Sequence, residues 1–131
     1  MQRMMMKSKI HRATVTETNV DYVGSITLDP ELMARADILE FEQVAVLDVD
    51  NGTRFETYAM KGGPGDVILN GAAAHLVTPG DRVIVLTYAA YDETELVGYA
   101  PAIVHVDAAN REVPEEEAVR RAGSNLVWIV K

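Results

Sequence analysis

The sequence predicts a mostly-β domain, a barrel or sandwich of many short strands with few and brief helices. Short apolar runs rich in β-branched residues recur along the chain, separated by turns rich in Gly, Pro, Asn and Asp. Helix-start signals are sparse, and the helices that they predict are short. The length of 131 residues, 48% of them apolar, suits one domain with a single hydrophobic core.

The first quarter of the chain is predicted to form strands and then a helix. Residues 5–18 are rich in β-branched side chains and contain no Gly or Pro, which favours one long strand. Two shorter strands are expected at 19–24 and 25–28. Asp29 is typical of a helix N-cap and the Pro after it of the first helical position, so a short helix is expected over 30–36.

The middle of the chain carries the strongest hairpin signal. Apolar and polar residues alternate over 42–50, and the Asn-Gly pair at 51–52 tolerates the positive φ angles of a type I′ turn. The returning strand is expected over 54–60. Because side chains alternate along a strand, Arg54 and Tyr58 should share one face.

The remaining chain reads as short strands followed by a tail of different character. The tail has acids at its start, bases near its end and Gly123 as a stop signal, which indicates a capped helix from Pro114. For residues 125–131 two alternatives stay open, an edge strand or packing on a neighbouring subunit. The other predicted elements are strands at 67–69, 82–88 and 102–106 and a turn or single helical turn at 70–75.

Composition excludes several classes of function. A net charge of -8 with scattered basic residues argues against binding to nucleic acid or to an anionic membrane. The absence of cysteine excludes disulfides, a thiolate nucleophile and sulfur-ligated zinc. His75 and His105 show no metal-ligand spacing, so no metal is predicted. No apolar run is long enough to span a membrane, and the prediction is a cytoplasmic protein.

Gly24 and Ser25 are the residues from which unusual chemistry could start. A Gly-Ser pair after an apolar run is by itself ordinary turn material. Glycine also lets the backbone take up compressed conformations, in which the serine Oγ can attack the carbonyl carbon before it and shift the acyl group from nitrogen to oxygen. The residues alone leave both interpretations open.

Four motifs, arriving in order, favour the second interpretation. They are K-I-H-R at 9–12, Y-x-G-S at 22–25, N-G-x-R-x-x-T-Y-A at 51–59 and N-G-A-A-A-H at 70–75. With them, the chain resembles the pyruvoyl-dependent aspartate 1-decarboxylases over about residues 4–113. The resemblance implies a double-psi β-barrel and a homotetramer with active sites at subunit interfaces.

The resemblance also implies how the active group forms. The chain cuts itself between Gly24 and Ser25 into a β-chain of residues 1–24 and an α-chain that begins at Ser25, with Thr57 stabilising the oxyanion. Elimination and hydrolysis then convert Ser25 into a pyruvoyl group. This group forms a Schiff base with L-aspartate and takes the place of pyridoxal phosphate as electron sink. Tyr58 is the implied proton donor in the release of β-alanine.

The implied substrate site combines cations with small residues. Arg54 can grip one carboxylate with two hydrogen bonds and Lys9 can hold the other as a point charge, although each alone is more often a solvated surface charge. Which cation meets which carboxylate stays open. The full set of implied substrate-binding residues is Lys9, His11, Arg54, Thr57, Gly71, Ala72 and Ala73.

Two other functions remain open from the sequence. A self-cleaved chain could keep Ser25 as a free N-terminal nucleophile for hydrolysis. Alternatively, an uncleaved barrel could serve as a ligand- or protein-binding module. The expected domain covers residues 1–113, and the extension 114–131 matches nothing in the family. The expected pathway is pantothenate biosynthesis, and whether cleavage needs a maturation partner is left open.

Overall fold

The structure is a computed structural model, and it describes residues 1–122. In this part the chain forms nine β-strands, two α-helices and one 3-10 helix, which confirms the mostly-β prediction. The bounds in chain order are β1 Gln2–Thr14, β2 Glu17–Asn19, β3 Ser25–Leu28, α1 Pro30–Arg35, β4 Gln43–Asp48, β5 Arg54–Lys61, β6 Val67–Asn70, the 3-10 helix Gly71–His75, β7 Arg82–Asp92, β8 Ala102–Val106, β9 Glu112–Val113 and α2 Glu115–Ala122.

The strands form one mixed sheet in the order β2-β6-β3-β5-β4-β7-β1-β8-β9. Three neighbouring pairs are parallel, namely β1 with β8, β2 with β6, and β3 with β5. The other pairs are antiparallel. Strands distant in sequence therefore become neighbours, and β3 lies between β6 and β5.

The hydrophobic core collects one face of nearly every strand. Alternation places Ile26 and Leu28 of β3 in the core, while Ser25 and Thr27 face the other way. Apolar side chains of this size each contribute about 1.5–3 kcal/mol when fully buried, so the core fixes the register of the strands. Fully buried core residues include Ile10, Ile26, Leu28, Val46, Val67, Leu69, Val83 and Val85.

The N-terminal strands differ from the predicted ones. The long first strand ends at Thr14 rather than at residue 18, and the chain from 17 to 19 pairs with β6 instead. The pairing of β1 with β7 is also interrupted between Ile10 and Ala13, where Arg12 takes a φ of +64°. Such a bulge bends the strand, and no local sequence pattern announces it.

The strand predicted over 19–24 was wrong, because Val20–Gly24 is turn and loop. The Asn19 side chain accepts from the backbone N–H of Asp21 over 3.1 Å, and the Tyr22 N–H donates to the Asn19 carbonyl over 3.4 Å. Asparagine favours this kind of turn, which competes with extension of the strand. The Gly-Ser junction therefore follows a turn and begins β3.

The helix and hairpin signals were largely confirmed. Asp29 caps α1 by accepting from the Glu31 N–H over 2.8 Å. The hairpin joins β4 to β5, but its turn is not the type I′ that was predicted, because Gly52 has a φ of +78° and Asn51 is not among the positive-φ residues. Asp48 fixes this turn by accepting from the N–H groups of Asp50 and Asn51 over 2.8 and 3.1 Å.

The C-terminal part agrees with the prediction as far as it is described. β7 extends to Asp92, four residues further than predicted, and β8 has the predicted bounds. α2 begins with the three acids Glu115–Glu117. The predicted stop at Gly123 and the predicted edge strand over 125–131 lie outside the described residues. Over residues 1–122, none of the helices is both long and apolar enough to cross a membrane.

Candidate active site

The hydroxyl group of Ser25 is buried at the start of β3 and held from two sides. Ser25 is only 1% exposed. Its Oγ donates to the Val23 carbonyl oxygen over 3.3 Å and accepts from Nδ2 of Asn70 over 3.0 Å. The same Nδ2 donates to Oγ1 of Thr27 over 2.9 Å, so two hydroxyls fix the amide. A positioned hydroxyl therefore lies beside the peptide bond that links Gly24 to Ser25.

Gly24 owes its position to a close contact with Gly71. Antiparallel pairing of β3 and β6 sets Ser25 opposite Asn70, and the next residue along the chain, Gly71, lies against Gly24. A Cβ atom on Gly71 would come within 2.6 Å of the Cα of Gly24 and 3.1 Å of the Tyr22 carbonyl oxygen. Gly71 also has a φ of +66°, which side chains other than glycine rarely adopt. Both conditions require glycine at position 71.

We expect Gly71→Ala to destabilise the protein by roughly 2–4 kcal/mol and to slow or prevent cleavage at Gly24, because the new methyl group displaces the junction. Denaturant unfolding and intact mass spectrometry measure the two effects. The matched control is Gly98→Ala, since Gly98 has a φ of +77° with nothing within 4 Å of the added Cβ. It should lose only about 1–2 kcal/mol and cleave normally. Equal behaviour of the two variants would contradict the steric argument.

The register of β3 against β5 brings Tyr58 to the junction. Ile26 is paired with Ala59 in parallel, so one step back along both strands sets Ser25 beside Tyr58. Paired residues on neighbouring strands share a face of the sheet, and both side chains therefore lie on the face away from the core. Thr57 precedes Tyr58 on β5, so its side chain lies on the opposite face of that strand. In the described part of the chain, the Thr57 hydroxyl makes no hydrogen bond to the junction.

A second group of predicted residues lies where β1 meets β8. His11 is paired with His105, and the two rings meet edge to face with centroids 5.8 Å apart. Both histidines are more than nine-tenths buried. Burial, followed by the positive charges of Lys9, His105 and Arg12, lowers the pKa of His11 to about 4. His11 is therefore neutral at neutral pH.

Lys9 adds a positive charge to this group. Burial lowers its pKa, and its charge contributes, after burial, to the lowered pKa of His105 as well. Over residues 1–122 no carboxylate lies within ion-pair distance of Lys9, and both ring nitrogens of His11 lack a hydrogen-bond partner. The group has unsatisfied positive charge and free polar atoms, which suits an anionic ligand such as a carboxylate.

Arg54 stands apart from both groups. It begins β5 at the hairpin end and is exposed. Tyr58 lies four positions further along the same strand, a distance of about 13 Å in extended backbone. In the sheet order, β4 and β7 lie between β5 and the strand of Lys9. Among the described residues, no hydrogen bond or ion pair joins Lys9, His11 or Arg54 to Ser25 or Tyr58.

The small residues after Asn70 form the 3-10 helix Gly71–His75. Gly71 is buried, Ala72 is exposed and Ala73 is half-buried. Because Gly24 is in contact with Gly71, the Gly24-Ser25 junction lies at the start of this helix. Asn70 itself was not among the predicted site residues, although it opens the N-G-A-A-A-H motif. Thr27 was missed as well. Motif spacing could point to Asn70, but only the pairing of β3 with β6 reveals that its amide holds Ser25.

A family model described as aspartate decarboxylase matches residues 1–113. The chain belongs to the aspartate decarboxylase family. Two curated proteins named aspartate 1-decarboxylase are similar to it. The one from Pelotomaculum thermopropionicum is 56% identical over 125 residues, covering 92% of this chain and 95% of its own. The one from Heliobacterium modesticaldum is 53% identical over 117 residues, covering 88% and 89%.

Membership of the aspartate decarboxylase family confirms four predictions. These are the family resemblance, the mostly-β double-psi barrel, the enzyme class and the decarboxylation of aspartate. The mixed sheet with three parallel pairs agrees with this fold. The roles of individual residues, the cut at Gly24 and the domain boundary at residue 113 stay predictions.

Carboxylates also cluster at the hairpin, at a place that the sequence analysis did not single out. Oxygen atoms of Asp48, Asp50 and Asp81 lie within 4.8 Å of one another. Arg82 already neutralises Asp50, through its Nη2 at 3.2 Å and its backbone N–H at 2.7 Å. Burial raises the pKa of Asp48, with a further contribution from the nearby Asp81 side chain. The Oδ2 atom of Asp48 is buried without a hydrogen-bond partner among the described residues. The absence of a metal site stays a prediction.

Proposed function

We propose that this chain cuts itself between Gly24 and Ser25 and then decarboxylates L-aspartate to β-alanine and carbon dioxide, using a pyruvoyl group formed from Ser25. The observation that carries the proposal is the geometry of the junction. A buried serine hydroxyl, held by Asn70, lies directly after a glycine that is packed on Gly71. An ordinary turn needs none of these contacts.

Cleavage requires that Ser25 Oγ bonds to the carbonyl carbon of Gly24 while the bond from that carbon to the Ser25 nitrogen breaks. Contact with Gly71 confines the backbone at Gly24, and the Asn70 amide confines the attacking oxygen. The oxyanion needs a hydrogen-bond donor, and Thr57, which precedes Tyr58 on β5, is the one that the family resemblance implies. The hydroxyl proton passes to the released nitrogen, and the chain is then joined through an ester. Elimination of this ester frees the Gly24 carboxylate and leaves dehydroalanine at residue 25, which water hydrolyses to the pyruvoyl group with release of ammonia.

The residues around Ser25 fit a pyruvoyl group at that position. The Asn70 amide supplies a donor where the Ser25 side chain lies, and the contact between Gly24 and Gly71 holds the backbone beside it. Such a group supplies an electron sink for the electron pair that a departing α-carboxylate leaves, so pyridoxal phosphate is not needed. Tyr58 shares the face of Ser25 and is the proposed donor of a proton to the substrate α-carbon.

The substrate is held by residues from more than one place. Lys9 and His11 form the positively charged group on β1, and Arg54 stands at the hairpin end of β5. Their separation from Ser25 within one chain supports a site that is completed by a second subunit, in the proposed homotetramer. The proposed contacts to aspartate are Lys9, His11, Arg54, Thr57, Gly71, Ala72 and Ala73.

We further propose a cytoplasmic enzyme of pantothenate biosynthesis that acts on no nucleic acid or membrane. Residues 1–113 form the self-processing domain, and 114–131 form an extension. The need for a maturation factor is decided by the same experiment as cleavage, since purified protein either matures alone or does so only in a cell extract.

Intact mass spectrometry of aged, purified protein tests the proposal. Cleavage divides the 131 residues into fragments of 24 and 107, whereas an uncut chain keeps 14.4 kDa. A carbonyl reagent such as hydroxylamine should abolish production of β-alanine. If the chain stays intact both in purified form and in cell extract, the result would favour the alternative function as an uncleaved binding module. Cleavage with activity that resists the reagent would favour a hydrolase with Ser25 as a free nucleophile.

Replacement of Arg54 tests the carboxylate clamp. We expect Arg54→Gln to raise KM for L-aspartate roughly 10- to 100-fold, because a hydrogen-bonded charge pair is lost, and to leave cleavage intact. Steady-state kinetics with L-aspartate measure the effect. Lys61→Gln is the matched control, since Lys61 is an exposed cation at the other end of the same strand. An unchanged KM in Arg54→Gln would remove Arg54 from the clamp.

A further inference from the structure

Phe41 lies beside the proposed proton donor. It belongs to the loop between α1 and β4, and its ring stacks on the ring of Tyr58 with centroids 6.3 Å apart and planes 30° from parallel. An offset stack of this kind fixes the plane of the partner ring as well as its distance. No sequence motif singled out position 41.

The backbone at Phe41 is unusual for an aromatic residue. Its φ is +69°, in the left-handed region that glycine and asparagine favour and that bulky residues avoid. Two hydrogen bonds tie the loop to the strand of Tyr58. The Phe41 N–H donates to the carbonyl of Ala59 over 2.8 Å, and the Ala59 N–H donates to the carbonyl of Glu42 over 3.0 Å. These bonds fix the backbone of Phe41 and Glu42 relative to Ala59, the residue after Tyr58.

The loop is also fastened from its outer side. The Glu42 carboxylate accepts from the backbone N–H of Leu39 over 3.0 Å and from Nζ of Lys7 over 2.7 Å. Lys7 also donates to the carbonyl oxygen of Asp37, near the start of the same loop. Ordered in this way, the loop presents the Phe41 ring to Tyr58 at a fixed position.

Burial in the core does not explain Phe41. The residue is 71% exposed, and its ring is not part of the hydrophobic core. Exposure of the ring to solvent and the positive φ of the backbone are both unfavourable. The contact that can compensate for them is the stack of Phe41 on Tyr58. Strained residues of this kind are held where the surrounding structure fixes them and are frequent at functional sites.

We propose that Phe41 is a positioning residue for Tyr58. It holds the phenol in the plane that faces Ser25 and covers one face of that ring. This inference rests on the proposed role of Tyr58 as proton donor and goes beyond it, because it assigns the orientation of the donor to a residue of the loop between α1 and β4.

Two substitutions separate this role from a structural one. Phe41→Asn removes the ring and suits a positive φ, so the protein should cleave normally and unfold at the same temperature or a higher one. We expect kcat to fall about three- to ten-fold while KM for L-aspartate changes less than about two-fold. Phe41→Tyr keeps the stack and should retain kcat within about two-fold. Cleavage, native mass, thermal unfolding and kinetics are measured on each variant.

Leu39→Asn is the matched control, because Leu39 is 70% exposed in the same loop and makes no ring contact. It should keep wild-type kcat. An unchanged kcat in Phe41→Asn, or an equal loss in Leu39→Asn, would overturn the inference. A lower native mass in Phe41→Asn would overturn it too, since Phe41 would then act at a subunit contact. Tyr58→Phe, measured in parallel, tests the proposed donor separately: normal turnover there removes that role, whatever Phe41 does.

Discussion

Ser25→Ala is expected to leave the chain uncut and to abolish production of β-alanine. Without the hydroxyl there is no nucleophile for the bond after Gly24 and no precursor of the pyruvoyl group, so activity should fall by a factor on the order of 10⁴ or more. The variant should still fold. Asn70 keeps its hydrogen bond to Thr27, and loss of the one to Ser25 costs about 1 kcal/mol. Intact mass and a β-alanine assay measure both outcomes.

Ser8→Ala controls for the loss of a buried serine hydroxyl. Ser8 is fully buried on β1 and shares a hydrogen bond with Thr87, far along the chain from the junction. This variant should lose similar stability and still mature into fragments of 24 and 107 residues. A 107-residue fragment from Ser25→Ala, or β-alanine made by its uncut chain, would contradict the proposed origin of the active group.

Local signals made part of the fold predictable. The cap at Asp29 and the hairpin at Asn51-Gly52 depend on neighbouring residues in sequence, and both elements form where they were expected. The strand break at Val15 and Thr16 depends on long-range hydrogen bonds instead. The N–H of Val15 donates to Asp81 and that of Thr16 to Val67, each over 2.8 Å. A prediction from local pattern extends β1 through this point, because no partner strand is visible in the sequence.

The candidate site also contains residues that could be predicted from the sequence and residues that only the three-dimensional structure reveals. Gly24, Ser25 and Tyr58 were predicted from the resemblance to the family, and the register of β3 against β5 brings the last two side by side. Asn70 could not be assigned its contact with Ser25, because that contact depends on β6 pairing with β3 across 45 residues. Phe41 was missed because an aromatic residue in the left-handed region is an exception to backbone preferences. Sequence-based reasoning therefore finds reactive groups more readily than the residues that position them.

Tyr58→Phe should separate maturation from turnover. The phenylalanine ring can keep the stack on Phe41 and the packing of β5. The proposed cleavage uses Ser25, Gly24 and Thr57, so the two fragments should form normally. Removal of the hydroxyl takes away the proposed proton donor. Decarboxylation of L-aspartate should then lose about 10²- to 10⁴-fold in kcat, the usual contribution of a positioned general acid, with a smaller change in KM.

Tyr88→Phe is the control for this prediction, because Tyr88 is 44% exposed on β7 and is not part of the proposed site. It should retain full activity. The decisive measurement is the release of β-alanine by Tyr58→Phe protein that intact mass shows to be fully cleaved. If that protein turns over at the wild-type rate, another group delivers the proton, and the shared face of Ser25 and Tyr58 has only a structural meaning. If instead the protein stays uncut, Tyr58 acts in maturation, before any substrate is bound.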